Sequence, residues 1–237
     1  MFIGTLAFAL FLVAGTPAEV VVVNLPAKGT LSLALTPSGK ADVEHAATLS
    51  LIHVEVDKLQ AVQKLSPAMN AYVVWAISPE GGFENVGELA VSDGRGRLDT
   101  VTRFDQFGIL ITAEPHFMVD HPNSVIAFRT QAPKSENVRR TLVPVEVGYY
   151  DYSMLQPVTA AGPALVAQAR SALQLAAGAR ADRLAESEYR LARIALSTVE
   201  EMLVRSAPME IVLPVANESI RRSQRAYIAA RGIAANR

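Results

Sequence analysis

Over the first two thirds of the chain, apolar residues recur at every second position in short runs. Ser50–Asp57 is the clearest case: Ile52, Val54 and Val56 fall on one side, and His53, Glu55 and Asp57 on the other. Period two with β-branched residues on one face predicts a half-buried strand. Val20–Val23, Thr30–Leu35, Ala71–Ile77, Val86–Val91, Phe107–Thr112 and Val125–Arg129 read the same way. Between them stand Pro37-Ser38-Gly39, Pro79-Glu80-Gly81-Gly82 and Asp93-Gly94-Arg95-Gly96, clusters whose residues favour chain reversal. Short strands with no helical pattern between them predict an antiparallel, immunoglobulin-like β-sandwich over residues 19–147. The Cys–Trp–Cys core of antibody domains is absent, so that likeness is architectural.

The period changes after a connection over residues 148–162, which carries Tyr149-Tyr150-Asp151-Tyr152 and Pro157. Pro163 suits the first turn of a helix, where its missing N–H costs nothing. Leu165, Ala169, Ala172 and Ala176 then form a narrow stripe of small residues. A second helix places Leu184, Leu191, Ile194, Ala195, Thr198 and Met202 at helical spacing, with Glu186, Arg190, Arg193 and Glu200 opposite. Ser206-Ala207-Pro208 ends it. A third helix carries Val212, Val215, Ala216, Ala226, Tyr227 and Ala230, and Pro214 kinks it or marks its first turn. The pattern predicts an α-helical hairpin region over residues 163–237 and an α+β fold class for the chain.

Residues 1–18 differ from both halves. They hold no charged side chain, and Leu6–Ala14 is continuously apolar. That is the core of a secretory signal, and Thr16-Pro17-Ala18 supplies small residues for cleavage. The run is short for a membrane span of about 20 residues, although Val20–Val23 could extend it into an anchor. The expected location is extracytoplasmic, in the periplasm or cell envelope.

Composition narrows the chemistry. The 237 residues include no cysteine, which removes disulfides, thiolate metal sites and a Cys nucleophile. A net charge of −1 argues against general nucleic-acid binding, which needs a basic field. The charge is unevenly spread. Residues 1–156 hold 11 basic and 16 acidic side chains, net −5; residues 157–237 hold 11 arginines and 7 acids, net +4. The two halves are complementary in sign and could dock on each other or on neighbouring copies.

One stretch resembles a known family. Tyr72-Val73-Val74-Trp75-Ala76-Ile77-Ser78-Pro79, then Gly81-Gly82, Gly87 and Leu89, precede Phe107-Gly108-Ile109-Leu110-Ile111-Thr112-Ala113-Glu114-Pro115. Residues 70–130 thereby resemble the extracytoplasmic C-terminal domain of anti-sigma-K factors, with its Tyr-x-x-Trp strand, glycine-bearing turn and Thr-x-Glu-Pro segment. The resemblance implies a β fold and an extracytoplasmic compartment, with Trp75 in the core. His116-Phe117-Met118-Val119-Asp120-His121-Pro122 stands where the family has a glycine-rich loop. The His/Cys zinc motif that grips a sigma factor is absent, so sigma-factor inhibition is not implied.

Few residues suggest chemistry. Glu114, His116, Asp120 and His121 place two imidazoles and two carboxylates in one short stretch, a possible divalent-metal set. Their spacing matches no ligand motif, and His45 and His53 lie elsewhere, so a loop between strands is the expectation. Glu55 and Asp57 lie on an outward strand face, where carboxylates serve solubility more often than acid–base catalysis. Asp93-Gly94-Arg95-Gly96-Arg97 precedes no helix that could present phosphate-binding amides. Arg221, Arg222 and Arg225 form a cationic cluster that could meet anionic lipid or an acidic partner, although Glu218 can pair with Arg222. Neither a catalytic motif nor a cofactor site is expected. The reading is a non-enzymatic envelope interaction or structural module with a protein partner or self-association. Alternatives are a sensing partner in an extracytoplasmic signalling system and a metal-dependent protein using the Glu114–His121 loop.

Overall fold

The computed structural model describes residues 17–25, 28–34, 39–131, 139–158 and 162–235. Residues 1–16, most of the expected export segment, lie outside them. Ala18, the last residue of that segment, is buried in the first strand.

The fold is α+β. Among the described residues the strands are β1 (Ala18–Val23), β2 (Lys28–Ala34), β3 (Gly39–Ala46), β4 (Leu49–Val56), β5 (Ala71–Ile77), β6 (Phe83–Glu88), β7 (Ala90–Ser92), β8 (Arg95–Thr102), β9 (Gly108–Glu114), β10 (Ile126–Thr130) and β11 (Arg140–Val145). The helices are α1 (Ala164–Gly178), the one-turn α2 (Ala181–Leu184), α3 (Glu186–Val204) and α4 (Met209–Ala235). The sequence pattern predicts two sheets face to face. Instead, nine strands lie in one antiparallel sheet, in the order β6-β5-β9-β10-β2-β3-β4-β8-β7, and only β1 and β11 form a second.

The large sheet curls until it nearly closes. Thr100 of β8 donates to the Val86 carbonyl of β6 at 2.6 Å, and Thr102 donates to Glu84 at 2.8 Å. These side-chain bonds span the seam where the strands carry no shared ladder. The interior is filled by alternate residues of the surrounding strands, among them Leu31, Val43, Val54, Val74, Ile109 and Phe128. The opposite face of β5 and β9 is also covered. Val20 and Val22 of β1, with Val143 and Val145 of β11, pack there on Val73, Trp75, Ile77 and Leu110. Burial on both faces explains why β5 is continuously apolar rather than alternating, and why β9 is buried throughout, with Thr112 and Glu114 as its polar residues. Gly108 belongs to this contact: a Cβ there would strike the backbone of Val21.

Three strands escaped the sequence pattern: β3, β8 and β11, the last of which pairs with β1. β3 and β4 are joined through Ala47-Thr48, with Ala46 opposite Leu49 and Ala47 at φ 48°. No glycine, asparagine or proline announces that reversal, so β3 is hidden. β8 begins inside the Asp93–Arg97 segment; the reversal itself is Asp93-Gly94, both at positive φ, as a tight hairpin requires.

The helices form a bundle in which α4 packs on both α1 and α3. α3 and α4 are joined by a short turn and pack on each other. Val166, Val199, Val212 and Ala216 meet near that turn, and Ala169, Ala172, Leu196 and Ile220 lie further along. The buried line of α3 is Ala192, Leu196 and Val199. This is a correction of the stripe containing Leu191 and Ile194, both of which are exposed. Small Ala192 faces inward because α4 comes close: Ser219 Oγ donates to the Ala192 carbonyl at 3.1 Å. Pro214 lies within α4.

The β and α halves share one core. Leu175, Ala176, Ala181, Ala226, Tyr227 and Ala230 join the same apolar cluster as the sheet interior. Tyr150 and Leu155, from the connection after β11, belong to it as well.

Candidate functional site

The polar groups that the fold takes out of water converge where the sheet meets the bundle, around the segment Pro115–Ser124 between β9 and β10. β9 delivers Glu114 to this joint. Its side chain is fully buried, and Oε1 accepts from the Thr112 hydroxyl and from the Asn123 backbone N–H at 2.7 Å. Thr112 in turn accepts from the Trp75 indole at 2.8 Å. Asn123 also donates to the Ala113 carbonyl at 2.9 Å. This chain of bonds ties β5, β9 and the following segment together. Burial pushes the Glu114 carboxyl up to about 8, although Thr112 and Asn123 favour its charged form. At neutral pH it is protonated.

His116 is also fully buried. Neither ring nitrogen has a hydrogen-bond partner among the described residues, and burial lowers its pKa to about 3. It is neutral at any physiological pH. His116 and Glu114 therefore do not form an ion pair.

The segment is clamped from several elements. Gln168 of α1 accepts from the Phe117 N–H at 2.9 Å and donates to Glu88 of β6 at 2.7 Å. Burial raises Glu88 to about 7. Asn85 donates to the carbonyls of Phe117 and Val119 at 2.9 and 2.8 Å. Asn70, just before β5, donates to the Pro115 carbonyl and to Ser171 of α1 at 3.1 and 2.9 Å. Asp120 accepts from Tyr150 at 2.8 Å and from Gln224 of α4 at 3.2 Å. Burial opposes its charge, but His121 and Tyr150 hold its carboxyl below the usual range.

His121 Nδ1 lies 3.5 Å from Asp120, at ion-pair range without hydrogen-bond geometry. Its ring stacks on Tyr149 at 4.3 Å and meets the edges of Phe83 and Tyr150. Beside this group the Arg231 guanidinium lies 4.6 Å from the Tyr150 ring centre.

The sequence quartet thus splits. Glu114 and His116 are sealed inside, and Asp120 and His121 face the tyrosines and α4. Among the described residues no group of three or more acidic, histidine or cysteine side chains could hold a metal ion. Asn70, Gln168, Asn123 and Tyr150, which do most of the clamping, do not stand out in the sequence. Gln168 carries one signal: it lies one residue from Ala169 in the small-residue stripe, where a buried amide needs partners.

The other cationic candidates are accounted for differently. Arg222 donates to Glu218 at 2.7 Å and reaches Glu188 of α3 at 3.1 Å, while Arg221 pairs with Glu218 at 3.3 Å. Only Arg225 of the three has no carboxylate within 4.0 Å among the described residues. The cluster is chiefly an ion-pair network joining α4 to α3.

The surface offers a second kind of feature. At the α3–α4 turn Val204 is 87% exposed, Ile211 51% and Met209 40%, flanked by the exposed charges Glu201, Arg205 and Glu210. Among the described residues no helix is long and apolar enough to cross a membrane. Taken together, these features define an α+β protein with a nearly closed antiparallel sheet capped by a helical bundle. Comparison with protein-family models, curated proteins and solved structures finds no match.

Proposed function

We propose that this chain is a non-catalytic interaction module of the cell envelope, which engages a protein partner through the α3–α4 turn. The observation that carries the reading is the exposure of Val204, Met209 and Ile211 at that turn. Soluble proteins rarely leave large apolar side chains grouped in water unless a partner covers them. An apolar centre with a polar rim is the usual anatomy of a protein contact. The rim carries both signs, Arg205 against Glu201 and Glu210, which favours a protein surface over an anionic membrane, whose binding needs net positive charge. The buried polar joint supports a structural role for Glu114 and His116: both are neutral and sealed from solvent, and Glu114 accepts from the Asn123 N–H of the Pro115–Ser124 segment. The uncharged apolar N-terminal segment supports export.

Site-specific photo-cross-linking of the full chain in cells tests the reading. A photoreactive residue at position 204 should give one discrete protein adduct in the envelope fraction, and one at exposed Asp57 should give none. No adduct at 204, or the same adducts at both positions, defeats it. Recovery of the intact chain in the cytosol would defeat the localisation.

A further inference from the structure

The geometry points to a binding groove for a small anionic amphiphile, a carboxylate head on an apolar chain, between the ends of α1 and α4. This site is separate from the proposed protein contact. It lies around Tyr227–Ala235, near the opposite end of α4 from the turn, and a helix of that length spans about 40 Å.

The groove has a volume of about 870 Å³, within the range of small-molecule pockets. Apolar side chains, Leu155, Leu175 and Leu184 among them, line part of it. Three guanidinium groups line it, from Arg180, Arg183 and Arg231, against one carboxylate, Asp151. Asp151 is engaged by its own chain, accepting from the Ser153 N–H at 2.9 Å. Among the described residues Arg180 and Arg231 have no carboxylate within 4.0 Å, and Arg183 has only Asp182, at 3.9 Å. Arg170, Arg221 and Arg222 of the bundle are paired more closely, at 3.1, 3.3 and 2.7 Å, whereas Arg225 resembles Arg180 and Arg231 in having no carboxylate within 4.0 Å among the described residues.

The backbone fixes where the Arg180 side chain leaves the chain. Arg180 follows α1 in the left-handed conformation, φ 60°, at a helix-ending position where glycine or asparagine is the low-strain choice. Lys58 and Ser206 adopt the same conformation at other turns, so it sets the direction of the Arg180 side chain and nothing more. Here that side chain lines the groove. Arg231 forms a firm back wall, its guanidinium 4.6 to 5.6 Å from the ring centres of Tyr149, Tyr150 and Tyr227. The excess of positive charge selects an anionic head, and guanidinium suits a carboxylate through paired N–H donors. The leucine walls select an apolar body.

Isothermal titration of the full chain with decanoate, below its micelle concentration, tests the assignment. Acetate supplies the head without the chain, and decyltrimethylammonium supplies the chain with the opposite charge. Decanoate should bind saturably at one site, and neither control should. The Arg180→Asn/Arg183→Gln variant keeps a residue tolerant of the left-handed conformation and should weaken decanoate binding about ten-fold or more. Its circular dichroism and melting should stay as in the parent, which separates lost binding from lost folding. Equal binding by decyltrimethylammonium, equal binding by acetate, unchanged affinity in the folded double variant, or no saturable decanoate binding would each overturn it.

Discussion

Replacing Glu114 by glutamine should remove one steep component of the loss of stability that the protein suffers as pH rises. The native carboxyl is fully buried and titrates near 8, whereas an unfolded glutamate titrates near 4.5. Between those values the folded chain holds a proton that the unfolded chain has released. Stability therefore falls with rising pH, by about 1.4 kcal/mol per pH unit for one proton. From pH 6 to pH 8 this amounts to roughly 2 kcal/mol, because ionisation of the folded state begins to relieve the slope near pH 8. Glutamine keeps the acceptor that Thr112 and Asn123 use and has no proton to lose. His116 acts in the opposite sense. Its folded pKa of about 3 lies below the unfolded value of 6.5, so its contribution is present above 6.5 and is lost as pH falls. Between about 4.5 and 6.5 the slopes of Glu114 and His116 cancel, and the fall that remains there is the one Glu88 contributes in the same sense as Glu114, its carboxyl being raised to about 7. Urea denaturation followed by the fluorescence of Trp75, the single tryptophan, measures this at pH 5.5, 7 and 8. The comparison of parent with Glu114→Gln removes contributions common to both, including that of Glu88. Parallel pH profiles for the two proteins would refute the argument.

Three further outcomes follow from the geometry. Trp75→Ala should destabilise the protein by about 3–5 kcal/mol, as expected for deleting a buried aromatic, since it opens the contact with β1 and β11 and removes the donor to Thr112; a change under about 1 kcal/mol in denaturant melts would contradict its core position. Burial of Gln168 between Phe117 and Glu88 makes Gln168→Leu destabilising by about 1–3 kcal/mol through the unpaired amide and carboxyl groups it leaves, and double-mutant cycles with Glu88→Gln should show coupling. His53 lies 2.5 Å from Asp99, and that hydrogen bond is the leading reason its pKa is raised above 6.5. Its stabilising contribution is therefore full below 6.5 and is lost as pH rises through the folded value, and NMR titration should find Asp99→Asn returning the imidazole toward 6.5.

Much of the strand content was legible because burial imposes simple patterns. β5 was readable over its full length, since seven apolar or aromatic residues in succession suit a strand covered on both faces. β4 was readable from its alternation. β3 was hidden because Ala47-Thr48 makes a hairpin without the usual turn residues, and β8 because Arg95, Gly96 and Asp99 disguise a strand whose outward face is polar. Sheet closure depends on Thr100 meeting Val86, a contact between segments that no local period encodes. The same limit applies to the joint. Glu114 and His116 stood out as titratable residues, but whether they face water or a core depends on β9 and α1, which come together only in the folded chain. The face of α3 was misread because hydrophobicity ranks Leu191 and Ile194 above Ala192, whereas close helix packing selects the alanine.

The central claim, that the α3–α4 turn is the surface through which this protein works, is tested most directly by affinity isolation of the tagged full chain from its native envelope. The chain is compared with Val204→Glu/Ile211→Glu, two changes at exposed positions that leave the bundle interior untouched. The account predicts one stoichiometric protein partner with the parent chain and its loss with the variant, while both melt alike. An unchanged partner set in the variant, or no stoichiometric partner with the parent, would contradict it.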